Sequence, residues 1–476
     1  MEENEKKLIE KAKKTNIIEG GAFSIMDGFG LRYITPYALA LKSPNYIIGF
    51  LSSFPQLIGN FGQILTLKLM RKYSRKKILL ITVFTQAFLW IPLLLTGLIY
   101  YFFNINTSLA IFLLITFYTL LIFSGSLPSP AWNSWMKDII KENKGDYFGN
   151  RNRVINIITV LSMLLTGIIL NHFKDDNVIL GFAIIFFIAF LGRLFSGFLF
   201  INQYEPEFKF EEEYYFSFAE FVKKMKNNNF GRFVIFISLI SLTTAIAAPF
   251  FSVYMLKNLG FSYIEFTIVS ICSIVVTSIF MPFWGRYTDK VGTVKVMKIT
   301  GLFLFTVPIG YVITFFLIKY NLGQLSFPIL IITECFSGFI WAGFNLSAAN
   351  FIFDSVTRQR LAICVAYYNS INTLGTFIGA TIGGVIASFN LITIPSLIIV
   401  FIVSALGRLI AFLIMGKKIK EVRKVDEQEF TNYLIEELKN HNKKIKSKIK
   451  SFEKEIIRIF TFKTDKSTPI QIEEYQ

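Results

Sequence analysis

The chain has 476 residues, of which 53% are hydrophobic and 16% aromatic, and its formal net charge is +17. Its apolar residues form long blocks that approach or exceed the roughly 18 residues of a membrane span, which excludes a soluble globular protein. The basic residues crowd into alternate connections between the blocks and into the C-terminal tail. This distribution is typical of orientation in a membrane and argues against nucleic-acid binding.

Few residues suit metal, redox or nucleotide chemistry. The sequence has two histidines, and its cysteines Cys272, Cys335 and Cys364 lie apart within apolar blocks, which argues against a zinc site or a disulfide framework. No glycine-rich loop of the Walker type occurs. We therefore expect no cofactor and no enzymatic activity.

The apolar blocks predict an all-α polytopic membrane protein with twelve transmembrane helices. In chain order the predicted spans are Ile18–Ala40, Tyr46–Leu69, Ile78–Tyr101, Ser108–Met136, Val154–Leu170, Val178–Ile201, Phe233–Leu256, Tyr263–Phe283, Val294–Leu317, Leu325–Phe353, Ala362–Phe389 and Ile392–Met415. The connections after every second span carry most of the Lys and Arg residues. Because short basic loops stay cytoplasmic, we expect both termini in the cytoplasm and a multi-pass protein of the cell membrane.

The pattern divides the chain into five segments. These are a cytoplasmic N-terminal segment (1–17), a six-helix bundle (18–201), a cytoplasmic linker (202–231), a second six-helix bundle (232–416) and a charged cytoplasmic tail (417–476). The linker contains apolar residues that suit a short amphipathic helix on the membrane surface, namely Phe216, Phe221, Val222 and Met225. The lysines of the tail would allow contact with anionic lipid, and a solvated tail explains the same composition.

The two halves repeat one another at an offset of roughly 215 residues, as parallel repeats do. A Leu-Gly-Arg triplet ends the sixth span at Arg193 and the twelfth at Arg408, and a Ser-Gly pair precedes both Asp138 and Asp354. Repetition in both halves favours a scaffold or gate role for the two arginines over substrate contact. We expect the two aspartates to meet such arginines when the inner gate closes.

A short charged segment, Trp284 to Gly292, lies between the eighth and ninth spans and is predicted to be a tight loop. Its residues Gly285, Asp289, Lys290 and Gly292 give the spacing G-x-x-x-D-K-x-G. This spacing resembles the cytoplasmic loop motif of the major facilitator superfamily of transporters, which carries the motif once in each half. The resemblance implies two pseudo-symmetric six-helix bundles and a gate role for these residues.

A degraded first copy of the motif lies between the second and third spans. There Arg71 replaces the family acid, Ser74 replaces the second glycine, and Arg75 keeps a basic position. An ordinary basic loop that only sets topology explains this copy equally well. The stretch from Pro128 to Trp135 is similar to a pattern in bacterial superfamily members of undefined substrate, and its two prolines predict a kink in the fourth span.

Charged side chains in mid-membrane cost at least a few kcal/mol, so each indicates a function or a buried partner. Asp27 lies near the centre of the first span, one of the helices that the resemblance places on the central cavity. It is a candidate proton or cation site, a ligand for a cationic substrate group, or a buried structural acid. Arg32 is turned roughly 140° from it on an ideal helix. The two pair only if Gly28 and Gly30 bend the backbone, and otherwise Arg32 reaches the outer interface.

Further polar residues lie within the later spans. Glu334, Trp341 and Asn345 share one face of the tenth span and suit either a solute site or a packing stripe. Gln86 in the third span is a further candidate for substrate contact. The glycine stripe at positions 375, 379 and 383 predicts a close helix contact, which we expect between the two halves.

Together these features predict a secondary transporter that moves a small organic solute by alternating access. A proton or another cation is the candidate coupling ion, lipid is the surrounding partner, and we expect a monomer. The rival hypothesis is a non-transporting receptor or scaffold on the same fold that signals through its tail.

Overall fold

The computed structural model describes residues 2–140, 144–175, 177–206, 216–357, 360–389 and 395–422. Ten helical runs among these residues are long and apolar enough to cross a membrane, beginning with Arg75–Phe102 and ending with Ser396–Lys418. The first two predicted spans are also helical and pack within the first bundle, although their composition is more polar. The twelve predicted passes are therefore all present as helices.

Within the described residues, nine helices build the six passes of the N-terminal bundle, because three passes are broken in the middle. They are α1 (Glu2–Phe29), α2 (Ile34–Ala40), α3 (Asn45–Leu69), α4 (Arg75–Phe88), α5 (Trp90–Phe102), α6 (Thr107–Ser126), α7 (Pro128–Ile139), α8 (Lys144–His172) and α9 (Val178–Ile201). The fourth pass is interrupted at Leu127, directly before Pro128, where the sequence predicts a kink.

The linker and the C-terminal bundle follow. They comprise α10 (Phe218–Lys224), α11 (Asn229–Val253), α12 (Tyr263–Val291), α13 (Thr293–Phe303), α14 (Thr306–Lys319), α15 (Ser326–Ser355), α16 (Leu361–Ala387) and α17 (Ser396–Met415). Helix α10 is the predicted amphipathic helix, and it turns Phe221 and Met225 inward against the second bundle. Tyr367 on α16 donates a 2.6 Å hydrogen bond to the carbonyl of Phe216, which fixes the end of the linker.

The second motif copy is not the loop that its charges predicted. Helix α12 continues through the motif, and Gly292 alone separates it from α13. Gly292 has a φ of 93°, a conformation that favours glycine. The helix persists because Trp284 is buried, donates to the carbonyl of Phe339 (2.8 Å) and holds the last turns of α12 against α15.

The predicted glycine stripe also has a different neighbour from the one expected. Gly375, Gly379 and Gly383 face backbone carbonyls of α11, and a Cβ on Gly379 would lie 1.9 Å from the carbonyl oxygen of Leu242. Both helices belong to the C-terminal bundle, so the stripe packs this bundle internally. On the same helix, Gly384 contacts Tyr46 of the other bundle.

The hydrophobic core is continuous across the two bundles at one end only. The largest cluster combines residues of both bundles and lies toward the end opposite the motif segments. At the motif end the core is divided, with one cluster in the N-terminal bundle around Trp135 and another in the C-terminal bundle around Phe233. The bundles are therefore packed together at one end and separate at the other.

Most of the predicted tail, residues 423–476, lies outside the described residues. Its first residues bind the C-terminal bundle: Asn229 donates to the carbonyl of Lys420 (2.7 Å), and the amide of Lys420 donates back to Asn229 (2.9 Å).

Candidate functional site

The first pass is interrupted where its charged residues lie. Helix α1 ends at Phe29, Leu31–Tyr33 form a 3-10 turn, and α2 begins at Ile34. The interruption brings Arg32 Nε to 3.0 Å from Asp27 Oδ2, so the two side chains form an ion pair. Bending at the glycines was the condition for this pairing, and the structure meets it. Arg32 accordingly turns to Asp27 and not to the outer interface.

The ion pair lies on α1 beside the helices that pack against it. Gly28 of α1 packs against α8, and Ile25 packs against Gly192 of α9. Asp27 lies close enough to Tyr118 on α6 for its charge to act on the phenol. Helix α1 packs mainly against α8 and α9. The side chains of Asp27 and Arg32 are 20% and 44% exposed, so the pair is not fully enclosed by its bundle.

Four hydrogen bonds among the described residues join the two bundles. They run from the end opposite the motif segments to about the middle of the helices: Asn45 to the carbonyl of Ala387 (2.7 Å), Tyr33 to Thr267 (2.6 Å), Asn60 to Thr373 (2.7 Å) and Asn156 to Ser278 (2.8 Å). Together with the divided core, they describe a cleft that is closed beyond the Asp27–Arg32 pair and open toward the motif end.

Glu334 has different surroundings. Tyr311 of α14 donates a 2.8 Å hydrogen bond to Glu334 Oε1, and the charge of Arg408 on α17 acts on the same carboxyl group. Both partners belong to the interior of the C-terminal bundle. Gly338, one turn further along α15, packs against the backbone of Ser273 on α12. This part of the predicted face is therefore a packing surface between helices.

The other candidate substrate contacts do not join the Asp27–Arg32 pair. Asn345 is exposed, and Trp341 packs edge-on against Phe344 on its own helix. Gln86 is buried between α4 and α6, where its amide donates to the carbonyl of Leu121 (3.3 Å). A structural role accounts for the position of Gln86.

A buried acid that the sequence pattern did not reveal organises the N-terminal bundle. Glu19 of α1 accepts hydrogen bonds from Ser196 (2.9 Å) and Arg151 (3.4 Å), and Arg193 Nη1 lies 3.8 Å away. Arg193 also stacks on Phe23. Glu19 sits at the charged start of the first predicted span, so its burial was not apparent from hydrophobicity. The scaffold role predicted for Arg193 is consistent with this network.

Arg408 occupies the matching place in the second bundle with other partners. It donates to the hydroxyl of Ser404 (3.2 Å) and to the carbonyl of Leu304 (2.9 Å), both within the bundle. Neither Arg193 nor Arg408 meets the repeated aspartates among the described contacts; because the motif end is open here, the contact expected for a closed gate stays a prediction.

Asp138 instead meets the first motif copy. Arg75 is fully buried and donates to Asp138, to Glu205 (3.5 Å) and to the carbonyl of Pro206 (2.9 Å). The backbone N–H of Lys76, at the start of α4, donates to Glu205 as well (3.3 Å). One arginine thus joins the motif to the ends of the fourth and sixth passes.

The same arrangement recurs in the second copy without the arginine. Thr293 occupies the motif position of Arg75 and donates to Asp354 (3.1 Å). The N–H of Val294, in the first turn of α13, donates to Glu421 (2.7 Å). Both copies therefore hold two acids at the start of a helix, where N–H groups and the helix dipole favour negative charge.

The remaining motif residues lie at the surface. Arg71 lines a cavity of about 380 Å³ together with Arg75 and Glu205. Asp289 and Lys290 are exposed in the last turns of α12. Gly285 lies inside α12, and an added Cβ there would meet only Leu346, at 3.7 Å.

Two six-helix bundles that meet at one end around a charged cleft have the architecture of a membrane transporter. The family profile described as Major Facilitator Superfamily matches residues 19–246 and 233–459. The chain therefore belongs to the major facilitator superfamily, whose members carry small-molecule solutes, and it is a multi-pass membrane transporter and not an enzyme.

Solved structures of known transporters share this fold. A single-site mutant of the nucleoside transporter NupG has a TM-score of 0.68 at 16% identity, over 86% of this chain and 100% of that one. A bacterial homologue of the iron transporter ferroportin in an inward-facing state has a TM-score of 0.65 at 11% identity, over 86% and 98%. A bacterial homologue of the human lysosomal transporter Spinster has a TM-score of 0.63 at 14% identity, over 87% and 97%. No protein of curated function matches the chain.

Proposed function

We propose that the chain is a secondary transporter that moves a small organic solute by alternating access. The two bundles would rock about the cleft that holds Asp27 and Arg32. The observation that carries this proposal is the asymmetry of the bundle interface, which is packed at one end and divided at the other. An interface of this kind can exchange its open and closed ends without unfolding either bundle.

In the same proposal, the basic residues of the motif segments set the orientation of the protein in the membrane. With the basic motif segments in the cytoplasm, the cleft of this structure opens inward, and both termini are cytoplasmic. We place the protein in the cell membrane as a monomer, since each half of the cleft is supplied by one bundle of the same chain. The buried motif contacts of Arg75 and Thr293 would hold each bundle rigid while the bundles move.

For coupling, Asp27 is favoured over Glu334 as the residue that takes up a proton or another cation. Both carboxylates are partly exposed. Asp27 pairs with Arg32, which is itself 44% exposed, whereas Glu334 accepts a hydrogen bond from the buried Tyr311 of its own bundle. Glu334 would then act within its bundle. The solved structures are described as a nucleoside transporter and as a homologue of an iron transporter, so the shared fold does not select the cargo.

Distance measurements between spin labels test alternating access without a known solute. In a background with Cys272, Cys335 and Cys364 replaced by serine, one label pair, Tyr73→Cys with Arg286→Cys, reports the motif end. A second pair, Phe103→Cys with Tyr320→Cys, reports the opposite end; all four residues are exposed. We expect two distance populations at each end, with the open population at one end matching the closed population at the other.

A disulfide lock gives the matched control. Asn156 and Ser278 are in direct contact across the bundles, so an Asn156→Cys/Ser278→Cys bond should leave only the population described here, and reduction should restore both. Single, invariant distances at both ends in the unlocked protein would overturn the proposal and favour the receptor or scaffold hypothesis.

A further inference from the structure

We propose that Arg32 is the binding residue for an organic oxyanion and becomes available when Asp27 is protonated. The cargo would then be a carboxylate- or phosphate-bearing solute that travels with one proton. This inference rests on the proposed function and specifies the chemistry of its cleft.

The geometry of Arg32 leaves most of its binding capacity unused. Its bond to Asp27 employs Nε, and the side chain is 44% exposed. A guanidinium has five N–H donors in a planar fork that matches the two oxygens of a carboxylate or phosphate. No hydrogen bond from Nη1 or Nη2 to the described residues is present, so the fork can accept a solute group.

Charge balance links this anion site to a proton. An anion that binds Arg32 must compete with the carboxylate of Asp27 only 3.0 Å away, and it would add an uncompensated charge to the cleft. Protonation of Asp27 removes both obstacles, because the neutral acid no longer holds the guanidinium. The proton and the anion together leave the net charge of the cleft unchanged.

The surroundings assign this role to Asp27 and not to a neighbour. The titratable group that α6 turns toward Asp27 is Tyr118, which is buried. The arginines of the adjoining helices α8 and α9, Arg151 and Arg193, are occupied by Glu19. Asp27 is therefore the acid whose protonation state controls Arg32.

Ligand-induced thermal stabilisation of the purified full-length protein tests the proposal. The probes are lactate, succinate and inorganic phosphate as oxyanions, alanine as a zwitterion and glucose as a neutral polyol. Wild type, Asp27→Asn and Arg32→Gln are compared at about pH 5 and about pH 8. The control is Glu10→Gln, which changes an exposed acid near the start of α1.

We expect at least one oxyanion to bind wild type and Glu10→Gln about tenfold more tightly at the lower pH. Asp27→Asn should bind it with little pH dependence, and Arg32→Gln should not bind it saturably. Comparison of the carboxylates with phosphate then shows which of the two oxyanion classes Arg32 binds.

Three outcomes would overturn the inference: equal binding by Arg32→Gln, tighter binding at the higher pH, or no oxyanion that distinguishes Asp27→Asn from Arg32→Gln. Stabilisation by alanine or glucose alone would also overturn it and assign a zwitterionic or neutral cargo instead. None of these outcomes alters the spin-label distances, so failure of this inference is distinguishable from failure of the transport function.

Discussion

Arg193 and Arg408 occupy matching positions in the two bundles, yet among the described residues Arg193 forms an ion pair within 4.0 Å, with Glu19 at 3.8 Å, and Arg408 does not. The 215-residue offset between the arginines takes Glu19 to Val234 in the second bundle. Arg408 instead uses the carbonyl of Leu304 and the nearby charge of Glu334. The two bundles share a fold while their buried charges are balanced in different places.

Removal of the carboxylate at Glu19 should destabilise the N-terminal bundle. Glu19→Gln leaves Arg151 and Arg193 buried without a compensating charge, and loss of one partner of a buried ion pair costs about 3 kcal/mol or more. We expect a clear fall in the melting temperature of the purified protein. Glu10→Gln, which removes an exposed acid paired with Lys13, should change it little. Equal melting temperatures for the two variants would contradict a structural role for Glu19.

The two motif copies should differ in their sensitivity to substitution. Arg75→Gln removes a buried charge from two acids and should cost about 2–3 kcal/mol, whereas Thr293→Val removes one neutral donor and should cost about 1 kcal/mol. Thermal unfolding of each variant measures the difference, with Lys72→Gln as a surface control. A larger effect at Thr293 than at Arg75 would show that the second copy carries more of the stability.

The glycines of the second bundle provide a steric contrast. Gly379→Ala places a Cβ 1.9 Å from a backbone carbonyl oxygen of α11, and overpacking against backbone costs about 2 kcal/mol or more. Gly285→Ala meets no atom closer than 3.7 Å. Size-exclusion profiles and melting temperatures should show a loss of folded protein for the first variant only. Tolerance of alanine at Gly379 would require α11 and α16 to move apart.

The buried residues Tyr33 and Tyr37 allow a comparison between loss of a hydrogen bond across the bundles and loss of one within a bundle. The Tyr33 hydroxyl donates to the carbonyl of Met163 in its own bundle and also bonds Thr267 of the other bundle. Tyr37 donates to the carbonyl of Leu93 in its own bundle. Tyr33→Phe should weaken the closed end by about 1 kcal/mol and shift the two populations about fivefold toward opening at that end. The Phe103–Tyr320 label pair measures this shift. Tyr37→Phe should leave the populations unchanged, and an equal shift in both variants would remove Tyr33 from the gate.

Much of the fold was predictable because a membrane imposes simple rules on sequence. A span needs about 20 apolar residues, and charge is excluded from lipid, so the twelve passes, the duplication and the linker could be located by hydrophobicity and by repeated short motifs. The match at Arg193 and Arg408 indicated two related bundles. These features depend on order along the chain, which the sequence contains directly.

The partners of the charged residues were decided by the tertiary structure. The break at Gly30 joins Arg32 to Asp27, Arg75 reaches Asp138 from a different pass, and Glu19 is buried although it begins a charged segment. Periodicity fixes which side of a helix a residue occupies, but a hydrogen bond also depends on helix breaks and on which helix packs opposite. For the same reason the sequence placed Asp27 near the centre of the first predicted span, and only the tertiary structure showed that it pairs with Arg32 and stays partly exposed where α1 packs on α8 and α9.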